Sequence, residues 1–309
     1  MKPAPFDYRR ARSVADALGL LAELGGEAKV IAGGQSLMPM MAFRLARPSH
    51  LVDIGGLGEL RGLWVDDDGL HIGALTTHHQ VETCTDPAVL AGWPVLPASM
   101  SWIGHLPIRT LGTVGGSVAH GDALAEWCLL TTLLDAVLVA EGADGRREIP
   151  VADFFLGFFT TALLPDELLV EVRFPAPAPH AALTEYAERH GDYAIVSAAV
   201  SLDLVDGSLR GGRIALGGVA DAPVRVPEAE ALLTAGTTHP DELGGVFAAA
   251  ADAAAAAVDP GDDQHGSADY RRSLVRTLVQ RAGVQASVAA RAVDDDRPAA
   301  VPAGARRRP

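Results

Sequence analysis

Val14, Ala17, Leu18, Leu21 and Leu24 recur at the three- and four-residue spacing of one helix face. Ser13 with Asp16 three positions on forms a capping box ahead of them, and Gly25-Gly26 stops the helix. Lys29-Val30-Ile31-Ala32 then reads as a short buried strand running into Gly33-Gly34. Ser36 is a candidate cap for a helix through Arg44, with Pro39 tolerated in its first turn, and Leu51 to Ile54 is a further strand. This opening stretch therefore predicts a small α/β unit, residues 1–57.

From Gly58 the texture changes. Leu63 to Val65 and Leu70 to Ala74 predict two strands joined at Asp68-Gly69, and Thr76 or Thr77 caps a helix continuing past Val81. Prolines 94 and 97 break the next region, and Leu106 to Gly116 reads as irregular and glycine-rich. Ala123 to Leu134 is apolar enough for a buried helix; Ala136 to Ala140 and Leu168 to Phe174 predict strands. The run Pro175-Ala-Pro-Ala-Pro179 is a stiff, extended linker that closes a second unit, residues 58–175. Beyond it, Ala194 to Leu204 and Arg213 to Val219 predict a hairpin turning at Asp206-Gly207. An alanine-rich helix over Ala248 to Val258 follows, then one whose apolar face is Tyr270, Leu274, Val275, Leu278, Val279 and Ala282. These make a third unit, residues 180–290, and residues 291–309 predict a charged, disordered tail.

The 309 residues carry a formal charge of −14, concentrated in the middle of the chain, which argues against nucleic acid as a partner. The start lacks the apolar run of a signal peptide, and the long uncharged stretch Pro87 to Ile108 holds four prolines, so no membrane span is expected. Two cysteines, Cys84 and Cys128, are too few for an iron–sulfur cluster contained in this chain or a cysteine zinc knuckle. They read as small core residues in a reducing, cytoplasmic setting.

Two glycine pairs are candidate chemistry: Ala32-Gly33-Gly34-Gln35-Ser36 and Thr113-Val114-Gly115-Gly116-Ser117. Glycine lets backbone approach a diphosphate, and successive N–H groups make an anion nest; the alternative is two ordinary turns. Neither loop carries Lys or Arg, so such a site would hold phosphate by amides and hydroxyls. There is no Gly-Lys-Ser/Thr phosphate loop and no G-x-G-x-x-G fingerprint, and Met38 stands where a nucleophile elbow needs glycine. His78-His79 point apart on a helix, and His120-Gly121-Asp122 lacks a third ligand, so no metal site is expected. No residue is nominated as a catalytic acid, base or nucleophile.

At these loops the sequence resembles the FAD-binding medium subunits of the molybdenum hydroxylases, the carbon monoxide dehydrogenase and xanthine dehydrogenase type. The likeness runs from Phe6-Asp7-Tyr8 to about Ala282, through the two loops, Pro107-Ile108-Arg109, Asp166-Glu167-Leu168-Leu169, Gly191-Asp192-Tyr193-Ala194 and Tyr270-Arg271-Arg272. It implies an α+β chain with two FAD-binding subdomains like those of vanillyl-alcohol oxidase, and a C-terminal domain of antiparallel sheet and helices. It implies FAD held by Ala32, Gly33, Gly34, Gln35, Ser36, Thr113, Val114, Gly115, Gly116, Ser117 and Glu126, lined by Ile103 and Leu164, with Tyr193 near the isoalloxazine. Glu126 is otherwise a helix-surface carboxylate and Tyr193 a core tyrosine. Ala123 stands where the family commonly has proline, and Glu185 where many relatives have lysine.

In that family electrons pass from molybdenum through two [2Fe–2S] clusters to FAD. With two cysteines, this chain would leave the clusters to a small subunit and molybdopterin to a large one, in a dimer of heterotrimers. Its role would be electron transfer to an external acceptor. The alternatives are a stand-alone flavin oxidase of the same fold, or a non-catalytic nucleotide-binding module. Arg9, Arg10, Arg12 and the arginines of the last helix are either docking groups for the cluster-bearing subunit or solvated surface.

Overall fold

The computed structural model of the chain describes residues 2–205, 208–235 and 239–295. The first unit is β1 (Asp7–Arg10), α1 (Val14–Leu24), β2 (Ala28–Ile31), α2 (Leu37–Ala42) and β3 (His50–Asp53). Its sheet is parallel, in the order β1-β3-β2. Helix α1 begins where the Ser13 hydroxyl accepts from the Asp16 N–H, but the expected capping box is half made: the Asp16 carboxylate accepts from the Arg12 N–H, not from that of Ser13. Val14, Ala17 and Leu21 bury against Val52 and Ile54. Strand β1 has no apolar alternation to announce it; all four residues are exposed, and only pairing to β3 makes it a strand. Ser36 is not the expected cap: it lies in the helical region itself and its side chain caps nothing, and α2 ends at Ala42.

The second unit runs β4 (Leu63–Asp66), β5 (Gly69–Gly73), α3 (His78–Glu82), α4 (Pro87–Gly92), α5 (Val95–Ser99), α6 (Leu106–Arg109), α7 (Val114–His120), α8 (Glu126–Leu133), β6 (Val137–Gly142), β7 (Gly145–Pro150), β8 (Phe155–Gly157), β9 (Thr160–Thr161) and β10 (Leu168–Phe174). The five-stranded antiparallel sheet has the order β4-β5-β10-β6-β7. Thr77 and Gln80 form a full capping box, and α3 continues past Val81 as expected, by one residue, to Glu82. The segment read as irregular holds two short helices, and Gly115-Gly116 lie in the first turn of α7, not in an open loop. The β8–β9 hairpin has no sequence signature.

The proline run does not swing free: the Trp93 indole N–H donates to Ala176 O at 3.0 Å and the Ala178 N–H to Gly92 O at 2.7 Å. Beyond it come β11 (Ala181–Tyr186), β12 (Val196–Val205), β13 (Ser208–Gly217), β14 (Val224–Arg225), α9 (Pro227–Glu230), α10 (Pro240–Ala257) and α11 (Ala268–Asp295). The sheet is β11-β12-β13-β14, antiparallel throughout. The expected turn at Asp206-Gly207 lies outside the described residues, and so does the expected tail from residue 296; residues 291–295 continue α11.

Candidate functional site

A cleft of about 1090 Å³ opens between the first two units, and Gly191-Asp192-Tyr193 of the third closes one side. Its volume lies just above the range of roughly 300–1,000 Å³ usual for small-molecule sites. The two glycine segments meet in it. A Cβ on Gly33 would stand 2.1 Å from Leu111 O and 2.8 Å from Gly112 Cα, so the backbones are in direct contact there. Gly34 turns the first loop with φ +70, which a side chain strains to adopt.

The segments offer different chemistry. The N–H groups of Gly33, Gly34, Gln35 and Ser36 donate to no acceptor among the described residues, while the Gln35 amide folds back onto Gly33 O at 2.9 Å. Four successive free amides around a left-handed glycine make an anion nest. In the second segment, Val114 N–H donates to Thr76 O, Gly115 N–H to Ala74 O, Gly116 N–H to Thr113 Oγ1 and Ser117 N–H to Thr113 O. Those amides are spent. What remains toward the cleft is the Ser117 hydroxyl and the Thr113 N–H. Gly115 is needed for packing, since a Cβ there would lie 2.4 Å from Ala74 Cβ.

All the residues named from the resemblance line the cleft except Val114, whose side chain is buried in the central core. Ile103 is nearly buried and Leu164 half-exposed, giving the cleft an apolar stretch. Tyr193 lines the cleft with more than half of its surface exposed; burial of the hydroxyl first, then Asp122, holds the phenol above its usual range, against a bond from Ser36. Glu126, on the first turn of α8, is buried in the cleft wall, and burial pushes its carboxyl up to about 7.

Sequence reasoning missed several wall residues. Lys29 and Arg47 supply the cationic groups that the glycine loops lack. His78 takes the Trp127 indole N–H on Nδ1 at 3.0 Å, and burial with Arg109 nearby lowers it to about 4, so the imidazole is neutral. Its remaining ring proton sits on Nε2, beside Gly112. Phe159, at the tip of the β8–β9 hairpin with φ +50, sets its ring 4.8 Å from His120. Lys29 stands in the sequence as a polar residue in an apolar strand, and His78 only as a candidate metal ligand; Arg47 and Phe159 leave no trace there.

The apolar stretch and the closing segment are each held by an arginine, Arg109 partly buried and Arg271 buried. Arg109 donates to Glu82 at 3.0 Å and to the carbonyls of Ile103 and Gly104, fixing the segment that carries Ile103. Arg271 of α11 donates to Ile195 O, Gly218 O and Asp263, anchoring the chain just after Tyr193.

A nest of amides for a diphosphate, hydroxyls and a carboxyl for ribose or ribityl oxygens, and apolar walls for flat rings fit a bound dinucleotide. A parallel β/α unit and an antiparallel sheet clasping such a cleft define an FAD-binding fold. The chain belongs to the family described as the FAD binding domain in molybdopterin dehydrogenase, matched over residues 4–177, followed by a CO dehydrogenase flavoprotein C-terminal domain over residues 181–286. It is 43% identical, over 91% of its length and 94% of the relative's, to the 6-hydroxypseudooxynicotine dehydrogenase complex subunit alpha of Paenarthrobacter nicotinovorans. It is 36% identical, over 91% and 97%, to the carbon monoxide dehydrogenase medium chain of Hydrogenophaga pseudoflava. Its fold matches quinoline 2-oxidoreductase from Pseudomonas putida 86 with a TM-score of 0.87, 38% identity, and coverage of 94% and 99%. It is thus an FAD-binding subunit of an oxidoreductase. No helix among the described residues is long and apolar enough to cross a membrane.

Proposed function

We propose that this chain is the electron-transfer subunit of a heteromeric molybdenum hydroxylase, taking electrons from [2Fe–2S] clusters on a partner and passing them to an external acceptor. The carrying observation is the cleft itself: a nest of free amides on β2–α2, closed by Tyr193, in a family whose relatives are medium subunits of such complexes. When bound, FAD supplies a group that takes up electrons singly or in pairs. The chain's own residues bind and orient it. The Gly33–Ser36 amides, with Lys29 and Arg47, would hold the diphosphate; Ser117 and Glu126 would hold hydroxyl or carbonyl oxygens; Ile103, Leu164 and Tyr193 would border the flavin.

The fourteen cofactor contacts named from the sequence, and the division at 1–57, 58–175 and 180–290, are part of this reading. Val114 contributes through its place in α7, not through its side chain. The partners we assign are an iron–sulfur small subunit and a molybdopterin large subunit, assembled as a dimer of heterotrimers. The compartment we assign is the cytoplasm, consistent with two free cysteines.

The test is purification with and without co-expressed partners. The chain alone binds FAD at about one per chain and oxidises no substrate, and the assembled complex reduces that FAD when its substrate is supplied. A colourless chain that takes up no FAD, or an isolated chain that turns over an aldehyde, purine or N-heterocycle, overturns the proposal.

A further inference from the structure

Two buried carboxyl groups, one in the cleft wall and one on the sheet of the third unit, have no ion-pair partner among the described residues. Glu126 on α8 and Glu185 on β11 are each 8% exposed. Glu185 Oε2 is fully enclosed and has no hydrogen-bond partner. Glu126 faces the cleft, and its carboxyl receives only its own backbone N–H. Among the described residues, the one charged neighbour acting on Glu185 is Glu126.

Among the described residues no cation acts on either group: Lys29 and Arg47 line the same cleft but shift neither carboxyl. Arg213 and Arg225, on the strands beneath α8, are committed to Asp135 and Glu230. On α11, Arg271 goes to Asp263, Arg272 to Asp259 and Asp269, and Arg276 to Asp252. Asp122, before α8, adds a further negative charge, and Tyr193 and Cys128 are raised by burial first and by Asp122 and Glu126 after it. His120 is lowered, chiefly by burial, and His78 is neutral. A buried carboxylate stripped of water, unpaired and facing other negative charge costs far more than retaining a proton.

We propose that Glu126, buried unpaired in the cleft wall, keeps its proton, so that it meets the bound dinucleotide as a hydrogen-bond donor and binding is proton-linked. The inference rests on the FAD reading above and concerns the form in which the wall residue acts. A carboxylate accepts hydrogen bonds only; a carboxylic acid donates one, to a carbonyl or hydroxyl oxygen or a ring nitrogen. Burial pushes Glu126 up to about 7, and burial with Glu126 pushes Glu185 up to about 8. The pair therefore loses its protons across pH 6–9. No other group on the wall with a shifted pKa is displaced into that window: His78 and His120 shift down, Tyr193 and Cys128 up. The diphosphate keeps its charge throughout.

The test is calorimetric titration of FAD into the FAD-free chain, in buffers of different ionisation enthalpy, from pH 6 to 9. Wild type takes up almost no proton on binding at pH 6 and nearly one at pH 9, and its Kd rises about tenfold per pH unit above pH 8. Glu126→Gln keeps a permanent N–H donor, so it binds as tightly at pH 9 as at pH 6. Glu185→Gln removes the neighbouring charge, which lowers the pH at which affinity starts to fall. FAD bound without proton uptake at any pH in the wild type overturns the inference and leaves the FAD reading intact. Loss of affinity at every pH in a folded Glu126→Gln chain also overturns it, because that is the signature of an acceptor carboxylate. Absence of FAD binding at all pH values overturns the FAD reading itself.

Discussion

Gly33 carries a tighter steric constraint than its neighbour Gly34, although Gly34 has the unusual dihedral. A methyl on Gly33 would meet backbone atoms, Leu111 O at 2.1 Å and Leu111 C at 2.7 Å, which cannot rotate away. A methyl on Gly34 would meet side-chain carbons of Ile31 and Met38 at 3.2 and 3.3 Å, which can yield, leaving mainly the cost of φ +70. Gly33→Ala is thus expected to cost about 2–3 kcal/mol and to weaken FAD binding at least tenfold by forcing the two segments apart. Gly34→Ala is expected to cost about 1 kcal/mol and to keep most of the affinity. Thermal melts and FAD titrations of the two variants check the order. The glycines themselves were plain in the sequence, and so was their convergence once the family was recognised. What each glycine is for was not, because Gly33 answers to Leu111 and Gly115 to Ala74, neighbours set by tertiary approach. The acidic pair makes a second single-residue expectation. Both carboxyls are raised above their unfolded values, so the folded chain binds more protons than the unfolded chain from about pH 4.5 to 8, and stability falls as pH rises through that window. The slope is up to about 1.4 kcal/mol per pH unit for each group. Glu185→Gln should flatten it, raising the melting temperature at pH 8 and leaving pH 5 nearly unchanged. Equal gains at both pH values would show that the pair is not the cause.

Among the elements, the pair of glycine segments makes the clearest prediction. Amides 33–36 between β2 and α2 have no internal acceptor, whereas amides 114–117 at the start of α7 are all bonded to Ala74, Thr76 or Thr113. Hydrogen exchange in the FAD-free chain should be fast over the first set and slow over the second. FAD should slow the first set by orders of magnitude and change the second little. Equal protection of both by FAD would mean that α7 opens without ligand. The same contrast shows which elements a sequence can announce. Helix α1, the β4–β5 hairpin, β6, β10 and β12 have long apolar faces and capped or turn-forming ends, and their spacing was enough. Strand β1 is exposed at every residue, and β8–β9 is a hairpin of three and two residues whose tip turns at Phe159 in a left-handed conformation. Helices α6 and α7 are four and seven residues long, and two glycines in the first turn of α7 masked it as a loop. Those elements are stabilised by what packs on them, so no local pattern could reveal them.

Each of the two larger sheets divides its side chains between two cores, and this joins the three units into one molecule. Val139, Leu168 and Val170 of the five-stranded sheet enter the core of the first unit, while Leu138, Leu169 and Val172 enter the central core. Ala181, Leu183, Ala199 and Ala215 of the four-stranded sheet enter the central core, while Ala182, Val196, Ala198 and Val200 pack beneath α10 and α11. Adjacent residues of one strand thus bind different units, and no sheet can lose one face without exposing the other. The cleft adds a second link, since its walls come from all three units. The chain should therefore unfold in one transition even without FAD, despite a length at which separate domains often melt apart. Tryptophan fluorescence, reporting the central core through Trp93 and Trp127, should trace the same curve as far-UV circular dichroism, which also reports α10 and α11. Adding FAD at a hundred times its Kd should move that single curve by about 2.7 kcal/mol without splitting it. Two resolved transitions, with FAD shifting only one of them, would mean that the shared faces do not couple the units. The C-terminal domain would then be an independent cover on the cleft, not part of the body that holds it.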